Sequence, residues 1–508
     1  MTGPEGEGEL PEPEALDTED GLVRHVLDAI RGGESPDVVP ETSSVVSFAE
    51  FLAVEAALDR RWPETAMEPS TERIAALVDA LGEPQRSYPV VHLTGTNGKT
   101  STARMIDALL TEVGLRTGRY TSPHLQRATE RINVDNRPVT PERYVELYHE
   151  VAPFVEIVDA SHGALSKFEV LTAMGFAAFA DAPVDVAVIE VGLGGTWDAT
   201  NIADGAVAVV TPVAIDHTRY LGSTIEEIAG EKAGIIKPSS AAILGQQVPA
   251  AAEVLLGRAA AVGATVARQD VEFGVTWREL AVGGQALSIR GLAGEYRDLL
   301  LPLFGEYQAA NAACALAAVE AFGGAGPDAG ALSGDLVREA FAAMTSPGRL
   351  EVVRRSPVVI ADSAHNPAGM AASVAAVTEA FSFRSLIAVL AISADKDVPA
   401  VLDQLEPVAD GLVVTRNSSD RSMDPGKLAD LAAEVFGPDR VRVAGRLDDA
   451  IDIAVGMADE AAADGLGGSG VLVTGSVVTA GDARSLLGAG GGAAGGDRRG
   501  RQGGTDLG

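Results

Sequence analysis

The segment HLTGTNGKTST, His92 to Thr102, carries the most direct chemical signal in the chain. Gly95 and Gly98 permit close backbone approach to a ligand. The segment follows the apolar run YPVVHL and opens a helical pattern. A loop so placed turns backbone N–H groups and a helix N-terminus toward an anion. Lys99 has the reach for the terminal phosphates of a nucleotide, and Thr100 or Ser101 has a hydroxyl for Mg²⁺. The common phosphate loop, G-x-x-x-x-G-K-[ST], needs glycine at position 93, where this chain has Leu93. The first glycine comes two residues late. An ordinary βα turn rich in small residues is the alternative, and the run G-K-T-S-T argues against it.

A nucleotide loop asks for a carboxylate on a neighbouring strand to hold or orient a metal. Glu190 closes the apolar run VDVAVIE and precedes the glycine turn VGLGG. A carboxylate ending a buried strand is costly without a cation, so its presence asks for one; a satisfied structural Glu is the other reading. His217, in AIDHTRYLG after the next strand, is a second candidate ligand, although a lone histidine is as readily structural.

The elements that must position these groups alternate along the chain. Met105, Ile106, Leu109, Leu110 and Val113 fall at helical spacing, and Gly114 sits where that helix would stop. VDVAVIEV (Val184 to Val191) and AVAVVTPV (Ala206 to Val213) have the continuous apolar character of strands buried on both faces of a parallel sheet. FGVTWRELAVGGQALSIRGL predicts an antiparallel hairpin turning at Gly283-Gly284. A second alternating series follows in PVVIADSAHNPAG, SLIAVLAIS, GLVVTRN and GVLVTGS, and the domain break is expected just before Pro347. The fold class is α/β: a large domain carrying the loop, parallel sheet and hairpin, then a smaller Rossmann-like domain.

At 508 residues the chain is too long for one compact core, which makes two domains the natural expectation. The expected bounds are 46–346 and 347–487, between an acidic, disordered tail over 1–45 and a glycine-rich, disordered tail over 488–508. A single cysteine, Cys314, rules out an internal disulfide and fits a reducing cytoplasm. The formal charge of −33 argues against nucleic acid as a partner. No apolar run of spanning length points to a membrane. An anionic substrate must then be held by local cations, helix N-termini or metal ions.

Taken together, HLTGTNGKTST, YTSPHLQRATERI, SKFEVLTAMGFAAFA, EVGLGGTWDATN, AIDHTRYLGSTIEEIAGEKAGIIKP, TSPGRLE and DSAHNPAG occur in the order and spacing of the folylpolyglutamate synthases. The chain resembles this family of ATP-dependent ligases, related to the Mur ligases, from about residue 45 to 487. The shortened loop is the form shared by that superfamily. The resemblance implies a Mur-ligase-like first domain and transfer of glutamate to a carboxylate activated by ATP. It implies that Asn97, Gly98, Lys99 and Thr100 cradle the triphosphate, that Ser122 and Glu190 hold Mg²⁺, and that His217 holds a second ion. Lys232, in GEKAG, matches a lysine carried as a carbamate, whereas its residue type alone favours a solvated helix lysine.

The resemblance implies that the second domain supplies the rest of the nucleotide site through Asn311, Arg349 and Asp362. His365 and Asn366 are expected near the glutamate cleft. Ser166, Lys167, Phe168 and Glu169, with Trp197, Asp198 and Ala199, match the pterin side. Three positions depart from the family pattern: Thr196 stands for arginine, Tyr307 for histidine, and Ser363 for a smaller residue. Loss of the arginine bears on acceptor affinity more than on phosphate chemistry. The SKFEVLTAM and pterin-loop segments favour a bifunctional dihydrofolate synthase/folylpolyglutamate synthase, with a monofunctional polyglutamate synthase, a Mur-type UDP-muramyl ligase and a non-catalytic ATP-binding regulator as alternatives. Small-molecule substrates, Mg²⁺, a monomeric state and a cytoplasmic location complete the expectation.

Overall fold

The computed structural model describes residues 48–63, 68–324, 331–463 and 468–489. The expected N-terminal tail, and all but residues 488 and 489 of the glycine-rich tail, lie outside the described residues.

The largest sheet has eight strands: β1 (Val90–Thr94), β2 (Thr117–Tyr120), β3 (Ile132–Val134), β4 (Arg137–Pro138), β5 (Val186–Glu190), β6 (Gly205–Val210), β7 (Ala241–Leu244) and β8 (Thr265–Arg268). Their order is β4-β3-β2-β5-β1-β6-β7-β8. Strands β2, β5, β1, β6, β7 and β8 run parallel, and β3 and β4 pair antiparallel at one edge. All five residues of β1 and of β5 are buried, which fits their mainly apolar sequence, with His92, Thr94 and Glu190 the polar exceptions. The parallel register places Leu93 beside Glu190, so the glycine loop and the Glu190 carboxylate leave the sheet at the same edge. Ligands of open α/β sheets bind outside this carboxyl edge.

Two helices cover one face around β1. Lys99–Glu112 buries Met105, Ile106, Leu109 and Leu110, the residues whose spacing marked it, and Gly114 takes φ +95° just beyond its end. Glu306–Phe322 packs against it with a nearly all-alanine surface that lets the two backbones approach, and Leu316 is fully buried there. On the other face, Phe48–Asp59, Glu72–Ala80, Pro141–His162 and Lys167–Asp181 share a second core.

The expected hairpin is β9 (Gly274–Ala281) with β10 (Gly284–Arg290), and Gly283 in its turn has φ +81°. A third strand, β11 (Glu295–Leu301), extends it into an antiparallel sheet. The hairpin is thus two strands of a three-stranded sheet. A register shift between Leu287 and Ile289 breaks the period-two alternation that would have marked β11.

A six-stranded sheet follows: β12 (Glu351–Arg355), β13 (Val358–Ala361), β14 (Phe383–Leu390), β15 (Gly411–Val414), β16 (Val441–Val443) and β17 (Gly468–Thr474), in the order β12-β13-β17-β14-β15-β16. Its four inner strands are the four apolar runs of the second series. The edge strands β12 and β16 carry arginines instead, which blunts exposed edges and hides them from an apolar pattern.

Leu316→Ala removes a fully buried side chain from the core to which both helices covering β1 contribute. It should lower the unfolding free energy in urea by about 2–5 kcal/mol, and a loss below about 1 kcal/mol would contradict this packing.

Candidate active site

The glycine loop is fixed by its own geometry. Gly95 has φ +146° and Gly98 has φ +91°. A Cβ on Gly95 would collide with the Thr211 hydroxyl, and one on Gly98 would lie 2.6 Å from Asn311 Oδ1. Thr96 ties the loop to the segment after β6: its hydroxyl donates to the Ala214 carbonyl (3.0 Å) and accepts from the Ala214 N–H (3.0 Å). Lys99 folds back so that its Nζ donates to the carbonyls of Gly95 (3.1 Å) and Thr96 (3.4 Å).

Glu190 meets this loop directly. The Thr100 hydroxyl donates to both carboxylate oxygens, at 2.9 and 3.0 Å, and the Ser122 backbone adds a hydrogen bond. Burial nevertheless raises the Glu190 pKa, so Lys99 and these donors do not fully replace its lost hydration. Burial also lowers the pKa of Lys99, whose nearest anionic neighbours include Glu190 and Asp216.

Lys232 comes from the helix Ile225–Ala233 and is buried, with its Nζ donating to the Gly95 carbonyl at 2.8 Å. Burial, reinforced by Lys99, pulls its pKa down to about 7. It is therefore no solvated helix lysine. A substantial neutral fraction at physiological pH is what a lysine needs to add CO₂.

His217 sits in the left-handed region (φ +51°) and precedes the short helix Thr218–Leu221. Burial, together with Lys396, His365 and Lys99, outweighs Asp216 and pushes the imidazole down to about 3, leaving it neutral. Asp216 is the hub that the sequence did not announce. It accepts from Lys396 Nζ (2.5 Å) and Asn366 Nδ2 (3.0 Å), and His365 Nε2 lies 3.5 Å away. Burial opposes its ionisation, but the His365 hydrogen bond and the Lys396 ammonium hold it far below the usual carboxylate range. Asn366 and Asn97 also exchange hydrogen bonds of 3.2 and 3.1 Å. These contacts join the six-stranded sheet's loops to those of the large sheet.

A cavity of about 1670 Å³ lies between the two sheets. Asn97, Gly98, Lys99, Thr100, Ser122, Phe168, Glu190, His217, Lys232, Arg349 and His365 all line it. Asn311 and Asp362 stand behind this wall. Asn311 backs Gly98 and donates to Gln308 at 3.1 Å, while the Asp362 carboxylate caps the N–H groups of Leu350 and Ala364, each at 3.0 Å.

Most residues expected on the pterin side also face elsewhere. Ser166 and Glu169 form a capping box at the start of Lys167–Asp181, Glu169 pairs with Arg73 at 3.2 Å, and Lys167 pairs with Asp59 at 2.6 Å. Asp198 accepts from Leu193 N (2.9 Å) and from Thr200, Ala199 is buried in the core, and Trp197 packs against the apolar cluster under Ile225–Ala233. Phe168 alone of these seven lines the cavity. At the departures, Thr196 donates to the Glu231 carbonyl (3.1 Å), Ser363 donates to the Gly348 carbonyl (2.7 Å), and Tyr307 packs on the second core.

The chain matches the Mur ligase middle domain over residues 93–319 and the Mur ligase glutamate ligase domain over residues 348–477. It is 54% identical over 476 residues to the dihydrofolate synthase/folylpolyglutamate synthase of Mycobacterium tuberculosis, covering 90% of this chain and 97% of that protein. The chain belongs to the folylpolyglutamate synthase family. The folylpolyglutamate synthase of Lacticaseibacillus casei is 37% identical over 68% of this chain and 80% of its own length. The M. tuberculosis folylpolyglutamate synthase complexed with ADP superposes with a TM-score of 0.83 at 55% identity, covering 87% of this chain and 98% of that one. No helix among the described residues is long and apolar enough to cross a membrane.

Asp216 and Lys396 also line the cavity and were not singled out in the sequence. A signal existed for Lys396, because it lies in the loop after the apolar run of β14, a strand-end position like that of Glu190. Gly98→Ala tests the loop geometry. Forcing a side chain into φ +91° against Asn311 should weaken ADP binding about 10- to 100-fold by calorimetry, and unchanged affinity would contradict the steric account.

Proposed function

We propose that the chain is a Mg·ATP-dependent ligase that adds L-glutamate to dihydropteroate and to the γ-carboxylate of reduced folates. The observation that carries the reading is the buried Glu190 carboxylate held by Thr100 at the mouth of the glycine loop, inside a cleft also lined by Lys99, Lys232 and Arg349. The name of the M. tuberculosis relative, dihydrofolate synthase/folylpolyglutamate synthase, supports both acceptors.

A carboxylate resists amines because its charge repels the nucleophile and oxide is a hopeless leaving group. Activation therefore precedes amide formation. An oxygen of the acceptor carboxylate attacks the γ-phosphorus, the bond to ADP breaks, and an acyl phosphate results. The neutral amine of glutamate then adds to the acyl carbon, loses its proton, and expels inorganic phosphate. In this chain Asn97 to Thr100 would hold the triphosphate, with Lys99 and Arg349 opposing the charge that builds during transfer. Asn311 and Asp362 would act from behind the wall, setting Gly98 and the loop around Leu350.

The donor set fits Mg²⁺. Glu190, the hydroxyls of Thr100 and Ser122, and neutral His217 border the cavity, while no group of three His, Cys, Asp or Glu side chains converges among the described residues. Mg²⁺ suits such a sparse set, since it keeps waters and substrate phosphates as partners. Two ions held by Glu190, Ser122, His217 and a Lys232 carbamate would neutralise phosphate charge. Lys396, His365 and Asn366 offer the cationic and amide groups suited to the incoming glutamate's carboxylates. Phe168 offers an aromatic face to the pterin. The proposed division at Pro347 puts these groups on two domains, so closure of one on the other would precede chemistry. The proposed enzyme is a cytoplasmic monomer, and the single buried Cys314 suits that location.

Phosphate release with Mg·ATP and glutamate, offering dihydropteroate and tetrahydrofolate separately with product masses read in parallel, tests the reading. Both should be turned over, each gaining glutamate masses. Turnover of tetrahydrofolate alone would mean a monofunctional polyglutamate synthase. Silence with both and turnover of a UDP-linked muramyl acceptor would place the chain among the muramyl ligases.

A further inference from the structure

The cavity exceeds what one small ligand occupies, and one part of its wall is not accounted for by ATP, metal or amine. Past Thr100, Arg104 lies one helical turn further along Lys99–Glu112, about 6 Å along the axis. Arg104 and Arg119 both line the cavity there, beside Asn133 and the Thr345–Pro347 segment. In a chain of formal charge −33, two guanidiniums on one wall are unusual in themselves.

Arg119 is buried, its side chain only 1% exposed. Its Nε donates to Asp107 Oδ2 (2.7 Å) and its Nη2 donates to Asn133 Oδ1 (2.8 Å). The third arm, Nη1, has no hydrogen-bond partner. Arg104 is half-buried and donates through Nε to the Thr345 carbonyl (3.1 Å). Burial, with repulsion from Arg119 and Arg484, pulls its guanidinium down to about 9. Among the nearby carboxylates, Asp107 bonds Arg119 through Oδ2 alone, its Oδ1 being without a partner, while Glu130 accepts the N–H groups of Leu125 (2.9 Å) and Arg127 (3.1 Å) and Glu351 holds Arg484 (2.6 Å). The buried, unpartnered Nη1 of Arg119, beside the half-buried Arg104, is a donor that a carboxylate would complete.

The acceptors differ in this one respect. Dihydropteroate has only the carboxylate that reacts. Each γ-linked glutamate adds an α-carboxylate, four bonds of about 1.5 Å from its own γ-carboxyl carbon and so about 5 Å away. With the reacting carboxylate at the glycine loop, the α-carboxylate falls within reach of the turn that carries Arg104. We propose that Arg104 and Arg119 form a subsite for the α-carboxylates of the γ-glutamyl tail already on the acceptor, separating tailed from tail-less acceptors. The inference rests on the folate–glutamate ligase reading above.

The test is steady-state kinetics of the full chain and of Arg104→Gln with dihydropteroate and with tetrahydropteroyl triglutamate, each at saturating ATP and glutamate. The ratio of KM for the triglutamate to KM for dihydropteroate should rise about tenfold in the variant, without a matching change in the ratio of kcat values. Arg119→Lys, which keeps a cation beside Asp107 but removes the free Nη1 donor, should move the ratio the same way. Equal KM increases for both acceptors, a shift confined to the KM of ATP, or an unchanged ratio in folded variants would overturn the subsite. A wild-type chain that turns over dihydropteroate alone would also overturn it while leaving the ligase class standing. A wild-type chain silent with both acceptors would instead defeat the ligase reading itself.

Discussion

A carboxylate buried at the end of β5 sets the terms for everything around it. Glu190 is 1% exposed, and burial raises its pKa despite the Thr100 hydroxyl and Lys99 nearby. A charge in that position is tolerated only if cations or dipoles face it. The parallel register of β1 and β5 brings a loop with those groups to the same edge of the sheet. Gly95 and Gly98 then let the loop close tightly enough for Thr100 to reach both carboxylate oxygens. Nucleotide binding and the proposed metal binding would thus be two uses of one electrostatic arrangement.

The same reasoning explains why the site needs the second α/β sheet. The large sheet supplies Glu190, Lys99 and Lys232, whereas Arg349, His365 and Lys396 arrive from the later part of the chain. Asp216 is the joint between them, paired with Lys396 and hydrogen-bonded to Asn366. Along the other flank, Arg484 and Gln126 hydrogen-bond to each other and Arg484 pairs with Glu351, so the Thr121–Arg131 loop is held against the helix Val477–Leu486. The cleft is walled by loops from both sheets, and a strongly acidic protein concentrates its cations there.

What the sequence disclosed follows from which interactions are local. The strand–loop–helix of residues 90–112 was legible because glycine spacing, buried strands and helical periodicity are short-range patterns. The four inner strands of the six-stranded sheet were legible for the same reason. Strands β11, β12 and β16 were not, because a register shift and arginine-rich edges erase the pattern. At the site, Glu190 and Lys99 announced themselves by position, and Lys232 only through likeness to a family. The contact between Asp216 and Lys396 spans 180 residues, so no local pattern marks it, even though the strand-end position of Lys396 is itself legible. The segment SKFE shows the reverse case. Its S-x-x-E spacing is that of a capping box, and Ser166 and Glu169 do cap the helix rather than face the cavity.

The central claim is that ATP energises the acceptor by phosphorylating its carboxylate in the cleft beside Glu190. An acceptor whose reacting carboxylate carries ¹⁸O tests it directly, with the inorganic phosphate analysed by mass after one turnover. Transfer of one ¹⁸O per product into phosphate is the predicted result, because the oxygen that attacks the γ-phosphorus leaves with it. Phosphate free of ¹⁸O, with amide product still formed, would contradict the account.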